Sequence, residues 1–170
     1  MKKILFASFV VCVFSFSAFA QKSSAAKTDP TMPVKAAFER LAEGIRQVDL
    51  DKVMNAYEKS DDLMIFNQNG SATNGWDNVK SVNEQIYARL SNVSLEITGL
   101  RVRMLGKTAA YVSCKWKQSQ ENNGKLENAS GRMTLVYKLI GKDWKVTHRH
   151  TSPDNPDANR PVLTSERENQ

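Results

Sequence analysis

Residues 144–152 read WKVTHRHTS. Side chains alternate across an extended strand, so Trp144, Val146, His148 and His150 share one face and Lys145, Thr147 and Arg149 the other. This alternation predicts that both histidines of the chain point, with the anchor Trp144, into an interior or a pocket lip. The residues before them supply a partner strand. Residues 129–140, ASGRMTLVYKLI, place Met133, Leu135, Tyr137 and Leu139 on an apolar face, and Gly141-Lys142-Asp143 turns the chain back.

Working outward, residues 109–118 read as a further strand, with Asn122-Asn123-Gly124 as its turn. Val93, Leu95 and Ile97 alternate, and after Gly99 the apolar phase shifts to Leu100, Val102 and Met104. A phase change at a glycine predicts a β-bulge that bends a long strand. Ahead of these strands come helical periods. Residues 31–48 carry Val34, Ala37, Phe38, Leu41, Ala42, Ile45 and Val48 at steps of three and four, with Thr31 as the expected cap and Pro33 in the first turn. Asp49 caps a short second helix bearing Leu50, Val53, Met54 and Tyr57. Residues 63–66 form a short strand closed by the Asn67-Gln68-Asn69-Gly70 turn. Asn74 is the expected cap of a third helix, with Trp76, Val79, Ile86 and Leu90 facing inward. Helices followed by a run of antiparallel strands imply an α+β fold. The expected architecture is a cone-shaped barrel of strongly bent, mixed or antiparallel sheet, with three N-terminal helices on its concave side and a conical cavity between.

The ends read differently. Residues 1–20 form a signal peptide: Lys2 and Lys3, an apolar run, then the cleavage pattern Ala18-Phe19-Ala20. The mature chain then begins at Gln21, with a flexible leader over residues 21–30, a single domain over 31–152 and a flexible tail over 153–170. Export implies a periplasmic or secreted protein that is not held in a membrane after cleavage. Cleavage removes Cys12 and leaves Cys114 alone, so no internal disulfide forms and a buried thiol is expected. The formal charge of +6 falls by the two lysines of the leader. What remains is scattered, which gives no nucleic-acid footprint.

Three stretches carry a family resemblance: VDLDKVMNAY at residues 48–57, NGWDNVKS at 74–81 and GRMTLVYKLIGKDWKVTHRHTS at 131–152. Their order and content resemble the nuclear transport factor 2-like superfamily, and within it the SnoaL-like group, over residues 34–152. The resemblance implies the cone fold, which hosts isomerases, cyclases, dehydratases and association domains, so function must be argued from the site. Registering on the shared D-L-D, the catalytic base of a ketosteroid isomerase falls on or near Asn67 and its oxyanion tyrosine near Leu41. An amide does not abstract a proton and a leucine does not donate one, so isomerase chemistry of that kind is not expected.

The candidate pocket residues are Tyr57, Phe66, Trp76, Tyr87, Trp116, Arg132, His148 and His150. His148 and His150 are the candidate acid/base pair. Trp76, Tyr87 and Trp116 supply aromatic walls, although aromatics at this spacing are more often core. Arg132 lies opposite Met133 and joins the pocket only through a bulge or twist. Two histidines without a third ligand do not make a metal site, and no cofactor motif is present. The expected role is binding of a small, mostly apolar molecule. A SnoaL-like or ketosteroid isomerase-like enzyme using His148 or His150 is the alternative. A ligand-free homodimeric scaffold, paired through an outer face bearing Tyr111, Ser113, Lys115 and Lys117, is a further one.

Overall fold

The computed structural model describes residues 29–155; the leader at 1–20, residues 21–28 and the tail beyond residue 155 lie outside them. Helix α1 (Met32–Arg46) carries Pro33 in its first turn and buries Val34, Ala37, Phe38, Leu41 and Ala42. Burial of each large apolar side chain in such a stripe contributes roughly 1.5–3 kcal/mol. The helix ends earlier than its apolar period suggests, because Val48 adopts φ 54° and turns the chain. Asp49 then caps α2 (Leu50–Ala56) by accepting from the Lys52 N–H at 2.9 Å. The start of α1 is held differently from the expected Thr31 cap. The Thr31 hydroxyl and N–H donate to Asp29 Oδ1 at 2.7 and 2.9 Å, and Lys35 Nζ donates to Oδ2 at 3.0 Å.

These bonds, the Thr31 hydroxyl first, lower the Asp29 carboxyl from the usual 3.8 to about 2. A depressed carboxyl supports the fold when ionised, so its support is complete above 3.8 and is lost as pH falls toward 2. The Thr31 amide proton shift should therefore titrate with Asp29 in that window. In Asp29→Asn that titration should vanish and the first turn should fray at every pH, as read by amide NMR.

Strands β1 (Met64–Phe66) and β2 (Ala72–Asn74) form the expected hairpin. Helix α3 (Trp76–Tyr87) is entered through Gly75, not capped by Asn74, which is still in β2. It buries Val79, whereas Ile86 is 37% exposed and Leu90 already belongs to the next strand. Strands β3 (Leu90–Met104), β4 (Ala109–Asn122), β5 (Lys125–Ile140) and β6 (Asp143–Pro153) follow. They are longer than their apolar alternation indicates, and β6 includes Pro153, which the sequence reading assigned to the tail.

The six strands form one mixed sheet in the order β2-β1-β6-β5-β4-β3, with β1 parallel to β6 and every other pair antiparallel. It is curled but not closed, since β2 and β3 remain edges. The β3–β4 register slips between Thr98 and Arg101, at Gly99 with φ 62°, where the apolar phase changes. A second slip lies at Asn92. Helices α1 and α2 pack on the concave face against Val112, Leu135, Tyr137 and Val146. Cys114 lies on that face, and burial pushes its thiol up to about 11, which suits a core residue and not a nucleophile.

Candidate functional site

One irregularity in β6 decides what the cavity contains. The β5–β6 register slips between Val136 and Tyr137: Tyr137 pairs with Val146, but Val136 pairs with His148, leaving Thr147 as an extra residue. Every later side chain of β6 changes face. Arg149 now lies opposite Leu135 and Ile65, both in the core, and Thr151 lies opposite Met133. The expectation that His148 and His150 point inward is thereby corrected. His148 pairs with Val136 and Met64, and His150 with Thr134 and Phe66, all on the convex face.

The concave face opens into a cavity of about 810 Å³, within the usual range for small-molecule sites. One wall is the far half of the sheet, with Leu95, Trp116, Gln118 and Met133. Facing it are Val82 and Ile86 of α3, which are 42% and 37% exposed. The β1–β2 turn forms a lip with Asn67, whose Nδ2 donates to Ser71 Oγ at 3.1 Å and Thr73 Oγ1 at 3.3 Å. At the far end of β4 and β5, Gln118 Nε2 donates to Gln120 Oε1 at 2.6 Å. Gln120 Nε2 and Asn122 Nδ2 each donate to a Glu127 oxygen at 3.1 Å. Arg149 enters from β6, and its Nη1 donates to the Tyr57 hydroxyl at 2.8 Å. Its Nε is buried without a partner among the described residues, and so is Trp116 Nε1.

Of the residues singled out from sequence, Trp116 lines this cavity directly. Tyr57, at the end of α2, is 3% exposed and reaches the cavity only through Arg149. Tyr87 packs against the core; burial, and then Tyr57 nearby, push its phenol upward. Phe66 sits on the convex face, with its ring 5.3 Å from His148 and 5.8 Å from His150, edge to face. Arg132 is exposed there too, and donates to the Pro153 carbonyl at 3.4 Å. Trp76 packs half-buried against the core; its indole N–H donates to the Met54 carbonyl at 3.2 Å and Lys59 lies 5.0 Å from its ring. Leu41 is core and Asn67 is lip. The reading from sequence missed Arg149 and the amides of β4. Among the described residues, no group of three potential ligands gathers for a metal.

The three helices and the curled six-stranded sheet define an α+β cone fold, and residues 34–156 match the SnoaL-like domain family. The chain belongs to that family, within the nuclear transport factor 2-like superfamily. It is similar to a nuclear transport factor 2-like protein of unknown function from Shewanella oneidensis, at 26% identity over 73% of this chain and 99% of that one, with a TM-score of 0.59. A superfamily member from Salmonella enterica serovar Typhimurium gives 17% identity over 78% and 97%, with a TM-score of 0.68. A ketosteroid isomerase-like protein from Erwinia carotovora atroseptica gives 17% identity over 76% and 99%, with a TM-score of 0.64. Among curated proteins no match is found.

Proposed function

We propose that this chain is an exported binding protein that holds a small, mostly apolar molecule in its conical cavity. The observation that carries the reading is the cavity itself. It offers about 810 Å³ between the sheet and α3, and Val82 and Ile86 expose apolar surface toward it. A ligand would cover that surface, and burial of apolar area is the main source of affinity in such sites. Catalysis by His148 or His150 within this cavity has no support, since both stand across the sheet from it. Export is supported by Lys2, Lys3, the apolar run after them and the Ala18-Phe19-Ala20 pattern.

Self-association through the convex face belongs to the same proposal. Met64 and Phe66 are 39% and 40% exposed there, and beyond His148 of β6 the same face carries Val136 of β5 and Tyr111 of β4. Exposed apolar surface of this kind favours a partner. Native mass spectrometry of protein purified from its own compartment tests all three parts. The expected species is a dimer whose subunits begin at Gln21 and release one small molecule each on denaturation. Empty protein would overturn the binding reading, a monomer the pairing, and subunits beginning at Met1 the export.

A further inference from the structure

We infer that the cavity selects a carboxylate: an organic monoanion whose carboxylate is taken by Arg149 and whose apolar body lies against Trp116, Met133 and the exposed face of α3. The inference rests on the binding reading above and names the chemical class of the ligand.

The argument begins with charge. Only Arg149 and Glu127 are charged among the residues that line the cavity. Glu127 has both oxygens engaged, each accepting from an amide, of Gln120 or of Asn122, though no cation pairs with it among the described residues. Arg149 keeps donor capacity without a partner. Its one bond is to a neutral hydroxyl, Tyr57, and it takes part in no ion pair among the described residues. A guanidinium keeps its charge at any ordinary pH and holds donors in a planar fork suited to a carboxylate. Placing it inside without a counter-ion is costly, and a regular strand would have left it on the convex face. The extra residue at Thr147 turns it in.

Hydrogen-bonding capacity points the same way. The two buried groups of this wall that lack partners, Arg149 Nε and Trp116 Nε1, are both donors. A wall whose unpartnered groups are donors favours a ligand that turns its acceptors toward it. A single guanidinium matches a single negative charge, so a carboxylate is favoured over a dianionic phosphate. The apolar residues beside it provide no second cation.

The test is calorimetric titration of the full mature protein with 2-naphthylacetate and with 2-naphthylacetamide, which share a shape but not a charge. The carboxylate should bind at least about tenfold more tightly, the scale of a charge-assisted hydrogen bond. In Arg149→Gln the carboxylate should lose that advantage, so that the two probes bind within about twofold of each other. Arg149→Lys keeps the charge without the fork and should retain part of the preference, which keeps the test decisive if Arg149→Gln folds poorly. Equal binding of both probes to the unaltered protein would overturn carboxylate selection and leave cavity binding standing. A preference that survives in Arg149→Gln would overturn the assignment to Arg149. Failure of both probes to bind folded protein would overturn the inference and count against the binding reading together.

Discussion

Tyr137→Ala is expected to cost about 4 kcal/mol, the range measured when a buried aromatic ring is deleted from a core. Tyr137→Phe at the same position should stabilise the protein by about 1 kcal/mol, because it removes a buried group without a partner. Both signs come from one environment. Tyr137 is fully buried, opposite Val146 on β6 and Ala110 on β4, and it is the largest of the fully buried side chains. Its hydroxyl is buried with it and finds no hydrogen-bond partner among the described residues. Burial pushes the phenol strongly upward, so it stays neutral and its only cost is the lost solvation of one hydroxyl. Removing the ring leaves a void between α1, α2 and the sheet that close packing cannot heal. Removing only the oxygen leaves the packing as it was. For a domain of this size each kcal/mol moves the melting temperature by about 2–4 °C, so thermal denaturation resolves both changes. A Phe variant less stable than the parent would mean that the hydroxyl has a partner, such as a bound water.

Much of this core was legible because burial imposes a period. Val34, Phe38 and Leu41 recur at helical steps, and Leu135 and Tyr137 at strand steps, and all five are buried. The bulge at Gly99 was legible for a related reason: it shifts an apolar phase, and a glycine stands where it does so. The bulge at Thr147 leaves no such mark. Thr-His-Arg-His contains no glycine and no apolar residue whose phase could break, so simple alternation carried His148 and His150 inward and Arg149 outward. One extra residue in an eleven-residue strand thus exchanged the acid/base candidates for a cation.

The cavity was hidden by the same physics. Alternation reports contact with a dry core, but the far ends of β4 and β5 face an open cavity and carry Gln118, Gln120 and Glu127. Gln118 ends the expected strand and Gln120 and Glu127 fall outside any expected strand, yet the two strands run on to Asn122 and from Lys125. Trp116 was found because it stands where core gives way to cavity. Four of the aromatic candidates took other duties. Trp76 and Tyr87 pack against the core, Phe66 stands on the convex face and Tyr57 became the partner that holds Arg149 in place.

Gly131→Ala is expected to cost about 3 kcal/mol, at the upper end for overpacking a well-filled site. A Cβ at Gly131 would collide with the Ser152 carbonyl oxygen and lie 3.1 Å from Trp116 Cζ2. The first neighbour is backbone, so no rotamer change relieves the clash; the end of β6 must move away from β5. Two features are lost as it moves: the Gly131–Pro153 pairing, and the bond from the Asp154 N–H to the Ser130 carbonyl at 3.0 Å. Thr151 and Trp116, both in the cavity wall, are displaced with them. Stability and ligand affinity should therefore fall together, a coupling that a simple core defect such as Tyr137→Ala need not show. Ser130→Ala, one residue away on the other face, is the control and should stay within about 0.5 kcal/mol of the parent. Chemical denaturation of the three proteins, with probe titration of each, checks both halves. If Gly131→Ala keeps the parent's stability, β6 yields at this point at no cost. The close approach of its C-terminal end to β5 would then not be what shapes that side of the cavity.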